Sequence, residues 1–224
     1  MRSMVEGRLG ETGSRDEREL PRRGCGDLRQ RRRTMVVSTE VQSFTQQIRR
    51  RSREHARAID MIAKVGLVAP AVSILRQEVD SLVRVIFLLA QPSPYREDLI
   101  RASINGERWL RPNGRSSVTD REMVDLSTRL IGWTQSVYKF GCAFVHLSNL
   151  HNYDVNDPLA KLPGTEREDI LRHMRYYHGG PKSDHPTLDD LLPFIPKVLK
   201  KISDNLEYYL EQLEAGFNPE LEEI

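Results

Sequence analysis

The sequence predicts an all-α protein, an antiparallel helical bundle, and three observations lead there. Apolar residues recur at three- and four-residue spacing through most of the chain beyond residue 38. Helix-start signals precede several of those stretches, with Thr119 and Glu122, Thr165 and Glu168, and Thr187 and Asp190 each spaced as a capping box. No stretch alternates apolar and polar residues convincingly enough to make a strand.

Charge divides the chain unevenly. The net charge of +2 over 224 residues conceals ten Arg and six Asp or Glu in residues 1–34, leaving 24 basic against 26 acidic residues beyond. The helical part is thus slightly acidic, which argues against broad electrostatic capture of nucleic acid. Residues 1–37 are expected to be a disordered Arg-rich leader, because Gly, Arg and acids without periodicity cannot bury enough surface to offset chain entropy. The run Arg31–Arg33 fits an RNA-binding tail or a plain solvated leader ahead of Met35. Residues 38–215 form the predicted helical domain and 216–224 a C-terminal tail. Cys25 and Cys142 match neither a disulfide framework nor a zinc site, and no apolar secretory segment opens the chain, so a cytoplasmic setting is expected. The most apolar run, Leu67 to Ala90, contains Arg76, Glu78, Asp80 and Arg84, which suits a buried helix and not a membrane span.

The first helix is predicted from Thr39, with Val41, Phe44, Ile48, His55, Ile59, Ile62 and Val65 on one seam and Gly66 at its end. Its arginines, Arg49, Arg50, Arg51, Arg53 and Arg57, wrap around the cylinder as on a solvated surface, and His55 falls on the seam as a core histidine. Pro70 opens a second helix through Gln91, apolar around most of its circumference and therefore central. On it Arg76, Asp80 and Arg84 form a ladder at four-residue steps, and charges on a buried helix need partners. The ladder is expected to face a polar stripe on a later helix or a second copy of the chain, or else to form an internal ion-pair lattice. A short helix follows from Ser93 to Ile104, then an exposed loop over 105–117.

Thr119 is expected to start the longest helix, to about Ser148. It would carry an apolar stripe (Met123, Leu126, Leu130, Trp133, Val137, Phe140, Phe144, Leu147) beside a polar or small one (Asp125, Thr128, Gly132, Gln135, Lys139, Cys142, His146, Asn149). Lys139 and His146 would lie two turns apart on one side, about 10 Å along the axis. Gly132 and Gly141 each cost about 1 kcal/mol of helix propensity, which implies close approach of a neighbour. The polar loop HNYDVNDPL contains His151, Asp154 and Asp157. Thr165 starts a helix to His178, Gly179 to Pro181 stops it, and Thr187 opens a turn that Pro193 and Pro196 separate from a final helix seamed by Val198, Leu199, Ile202, Leu206, Tyr209, Leu210 and Leu213.

No Gly-rich phosphate loop, HExxH or GxSxG occurs, so enzyme classes with strong local signatures are not indicated. His146, His151, Asp154, Asp157 and His178 match no metal-ligand spacing, and no metal or cofactor is expected. The central RxxxD step (Arg76 to Asp80), followed by KFGCAFVH (Lys139 to His146) inside the phrase Tyr138 to Ser148, resembles the HEPN superfamily, closest to its bacterial branches, over about Val41 to Leu213. The resemblance implies a helical bundle of the HEPN kind. It also implies a basic residue and a histidine that meet across a two-fold dimer and cleave RNA without metal. Carried onto this chain, His146 would be the general acid or base and Lys139 would meet the developing phosphate charge. Lys139 stands where the family has Arg, a point charge in place of a bidentate fork, and Phe140 where a polar residue often follows.

Two functions of different class are therefore expected: a metal-independent ribonuclease of a defence or stress system, or a non-catalytic helical module that binds a protein or nucleotide through the same pocket. A dimeric scaffold is the third. Arg76, Asp80, Asn149 and His151 are the expected binding residues. The expected partners are a second copy of the chain and RNA or an antitoxin-like protein, with no membrane.

Overall fold

The helix Val68–Leu89 (α2) is the axis of the bundle, and its composition explains why: Val72, Val79, Leu82, Val83, Val85, Ile86 and Leu88 are each at most 2% exposed. Burying each such side chain contributes about 1.5–3 kcal/mol, enough to hold several helices against one. The structure, a computed structural model, describes residues 37–145 and 157–216. Thr39–Lys64 (α1), Asp120–Leu130 (α4), Thr134–Val145 (α5) and Ile195–Glu214 (α8) pack around α2. Ser93–Ile104 (α3) lies against α1, and Gly164–His178 (α6) against α5 and α8. The single turn Leu188–Leu191 (α7) and a tighter turn over Leu192–Phe194 lead into α8. All-helical architecture is what the periodicity predicts. Among the described residues the β structure amounts to one isolated antiparallel bridge, Leu110 with Ser117, and no helix there is long and apolar enough to cross a membrane.

Local signals account for several helix ends. The Ser38 side chain accepts from the Val41 N–H at 3.2 Å to start α1, and reciprocal capping boxes at Thr119/Glu122 and Thr187/Asp190 start α4 and α7. Gly179, at φ 68°, ends α6 in the left-handed conformation. Arg96 does similar work by tertiary reach: buried, it donates to the carbonyls of Leu88, Leu89 and Gln91 at 2.9, 3.1 and 3.0 Å, satisfying the C-terminus of α2.

Three expectations need correction. The single helix from Thr119 to Ser148 is two helices, broken between Leu130 and Thr134, where Ile131 takes φ −131° and ψ 88°. Hydroxyls supply the reason: buried Thr134 donates to the Ile131 carbonyl at 3.0 Å and bonds Ser127 and Thr128 at 3.1 and 3.2 Å. Ser and Thr offer the backbone this alternative to a helix, and Gly132 lowers the cost of leaving it. Gly132 also has no neighbour within 4 Å of an added Cβ, so it marks the corner and not a close approach. Second, α6 starts at Gly164 behind Pro163, placing Thr165 inside the first turn instead of at the cap. Third, the 105–117 loop is not wholly exposed. Trp109 is 6% exposed, stacked on Phe87 and donating to Ser103 Oγ at 2.7 Å.

One buried polar cluster joins α1, α2 and α8. Glu78, fully buried, meets His55 Nδ1 at 2.6 Å, accepts from Ser203 at 2.9 Å and also accepts from Ser52. Burial alone would raise the carboxyl's proton affinity; the hydrogen bonds from His55, Ser52 and Ser203 outweigh it and hold the pKa below the usual value. His55 is thus the core histidine its place on the seam predicts.

Candidate functional site

The charged ladder on α2 is spaced to put its three side chains on one side, and that side meets the start of α4 and one face of α5. Asp80 sits between the two arginines, 3.6 Å from Arg76 Nη1 and 2.9 Å from Arg84 Nε. Asp120, the first residue of α4, completes a rectangle at 3.4 Å from Arg76 and 3.3 Å from Arg84. The N-terminal end of a helix favours a carboxylate there. Tyr138 on α5 donates to Asp120 at 2.7 Å, and the Arg76 guanidinium lies 3.4 Å from the centre of its ring. Arg76 Nε also points at Cys142 Sγ, 3.3 Å away.

Charge is balanced within this cluster, two guanidiniums against two carboxylates. Burial of Tyr138, reinforced by its bond to Asp120, raises the phenol's pKa well above the ordinary range, so it stays protonated. Burial pulls the Arg76 pKa down, but Cys142, Tyr138 and Asp80 more than offset it and leave it raised. The ladder's ion pairs join α2 to α4, and the Tyr138 and Cys142 contacts join it to α5.

The expected site residues separate. Arg76 and Asp80 come together in the lattice. Lys139 does not join them: its side chain is 54% exposed and lies 3.7 Å from Glu166 of α6, while its neighbours Tyr138, Gly141 and Cys142 face Arg76 of α2. The polar stripe is discontinuous because its first half belongs to α4 and its second to α5. His146, Asn149 and His151 lie outside the described residues. Among the described residues no group of three His, Cys, Asp or Glu side chains is placed to hold a metal.

Beside the lattice opens a groove of about 770 Å³ between α1, α2 and the loop that follows α3. Its floor is Phe44, Ile48, Trp109 and Val118, and three arginines border it: Arg51, Arg84 and Arg108. Arg84 is fixed in place, its guanidinium 5.1 Å from the Trp109 ring and its other contacts made to Asp80 and Asp120. Arg51 donates to Ser81 Oγ and, at 3.5 Å, to the Gln77 carbonyl. Neither Arg51 nor Arg108 forms an ion pair among the described residues, so two guanidiniums on the groove have no carboxylate in contact there. Gln47, Asp80, Ser81, Ser103, Glu107 and Ser117 add further hydrogen-bonding side chains to its wall. Sequence reasoning missed Arg51 and Arg108. Phe44, Gln47, Ile48 and Arg51 do share one helical face by their spacing, a signal that could have set Arg51 apart from the other arginines of α1; Arg108 is brought in only by the tertiary path of the loop.

Comparison of the chain with known protein families, with characterised proteins and with solved structures finds no match.

Proposed function

We propose that this chain is a helical nucleotide-binding module whose ligand occupies the groove between α1, α2 and the loop after α3. The observation that carries the reading is the pairing of Arg51 and Arg108, without carboxylate partners among the described residues, with an apolar floor of Phe44, Ile48 and Val118. Guanidiniums are forks matched to phosphate oxygens. The floor accepts a planar body, and Glu107 can accept from sugar hydroxyls. A volume of about 770 Å³ falls in the range of small-molecule sites. Trp109 already contacts Phe87 and Arg84, so the base is assigned to Phe44, Ile48 and Val118 and not to that indole.

Titration of the full chain with ATP, AMP, GTP and inorganic phosphate, followed by calorimetry, tests this. Saturable binding of a nucleotide, tighter than phosphate alone and weakened at least about tenfold by Arg51→Ala with Arg108→Ala, is the expected result. No binding by any nucleotide, or equal binding of phosphate alone, would remove the reading.

A second reading follows from the exposure of Lys139, whose ammonium is free to reach solvent beyond its weak pair with Glu166. In it the chain resembles HEPN proteins in activity as well as pattern: two copies combine Lys139 and His146 into a metal-independent ribonuclease acting in the cytoplasm, its activity restrained by an antitoxin-like partner. Incubating wild type and His146→Ala with a mixed RNA pool in EDTA decides it. Cleavage by the wild type alone supports the reading. An intact RNA pool, or a monomer mass by light scattering, opposes it.

A further inference from the structure

A second cavity, of about 270 Å³, lies where α5, α6 and α8 converge, and it shares no lining residue with the arginine groove. Its walls are apolar: Val137 next to the Trp133 corner, Ile170 and Met174 from α6, and Val198 and Ile202 from α8. His173, His178 and Lys201 line it together with Ser136 and Asn205, and among the described residues no carboxylate does.

His173 Nδ1 donates to the Asp169 backbone carbonyl at 2.7 Å, which fixes the ring at the cavity wall. Tyr177 stacks on that imidazole with ring centres 6.0 Å apart and forms the rim. Lys201 makes no ion pair among the described residues. The proton affinity of His178 is depressed by its burial, then by Lys197, Lys201 and His173, which together mark a positive local potential.

One permanent cation, Lys201, set against apolar walls matches an anion of single charge with an apolar body. We propose that this cavity binds a small organic carboxylate of benzoate to octanoate size, its carboxylate against Lys201 and its apolar body between Val137, Met174 and Ile202. The small volume excludes larger ligands. The single lysine favours a carboxylate over a phosphate, which would bring a second negative charge.

The chain has two tryptophans, so Trp109→Phe leaves Trp133, on the cavity wall, as the sole indole. Benzoate, phenylacetate and octanoate are titrated into that full-length variant by fluorescence and into the wild type by calorimetry, with acetate and inorganic phosphate as controls. The expected result is saturable binding of at least one of the three, with Kd below about 1 mM, and none of acetate or phosphate. Lys201→Met should weaken it about tenfold or more, while Arg51→Ala should leave it unchanged, so the outcome is separate from nucleotide binding in the other groove. No saturable binding in either assay, equal binding of phosphate, or undiminished affinity in Lys201→Met would each overturn the proposal.

Discussion

A Cβ added to Gly141 on α5 would lie 2.6 Å from Cβ of Arg76 on α2. The backbone of α5 can therefore seat against the ladder only with glycine at this position. That contact brings Tyr138 over the Arg76 guanidinium and Cys142 within reach of its Nε.

Gly141→Ala should destabilise the fold. Helix propensity would improve by about 1 kcal/mol, but the atom met is close to the α2 backbone and cannot swing aside, and overpacking of this kind costs about 1–3 kcal/mol. Gly132→Ala, in open space and at negative φ, should change stability by no more than about 0.5 kcal/mol. Urea unfolding of the two variants compares them directly. A neutral Gly141→Ala would mean that α5 does not approach α2 this closely.

Glu78 predicts an acid limit to stability. Its folded pKa is depressed, by hydrogen bonds that overcome burial, below the ordinary value near 4.3. The stabilisation is then fully present above that ordinary value and is lost as pH falls through the depressed one. Urea titrations in steps from pH ~7 to ~3 should show wild-type stability falling in the acid range. Glu78→Gln should be less stable at neutral pH by about 3 kcal/mol, because it leaves buried donors without their charge partner, and should lose much of the acid slope. An unchanged slope in that variant would assign the acid loss to other carboxylates.

Arg96→Met should destabilise by about 2 kcal/mol or more. Methionine fills much of the same volume but leaves the Leu88, Leu89 and Gln91 carbonyls without this donor at a buried helix end. Hydrogen exchange should locate the damage at the last turn of α2, with the amides of α8 changed less.

What the sequence made legible follows from where its signals are local. The seams of α1, α2 and α8, the boxes at Thr119 and Thr187 and the stop at Gly179 all act within a few residues, and each is where the pattern puts it. The corner at Ile131 was hidden because apolar spacing continues through it from Leu130 to Trp133, while the hydroxyls of Ser127, Thr128 and Thr134 that make the turn look like ordinary surface residues. The ladder was visible as a charge pattern, but its partner Asp120 was not, since nothing local ties the first residue of α4 to α2. The groove joins Arg51 on α1 to Arg108 in a loop, and only packing brings them to one wall. Lys139 is helical as expected, yet it faces α6 because Tyr138, Gly141 and Cys142 claim the side toward α2.

The arginine groove makes the last prediction, which separates recognition from folding. Arg108 is exposed and forms no ion pair among the described residues, so Arg108→Ala should shift stability by less than about 0.5 kcal/mol. Arg51 bonds Ser81, but that hydroxyl keeps its own bond to the Gln77 carbonyl at 3.2 Å, so Arg51→Ala should cost no more than about 1 kcal/mol. Arg84 differs. Its removal strips Asp80 and Asp120 of a partner and uncovers Trp109, so Arg84→Ala should lower both stability and binding. If a nucleotide occupies the groove, the double variant of Arg51 and Arg108 should retain the wild-type melting temperature to within a few degrees. It should lose at least about tenfold in affinity and show a weaker dependence of the remaining affinity on salt, because two exposed cations no longer meet the phosphates. Retained affinity with the same salt dependence would place the phosphates elsewhere on the protein.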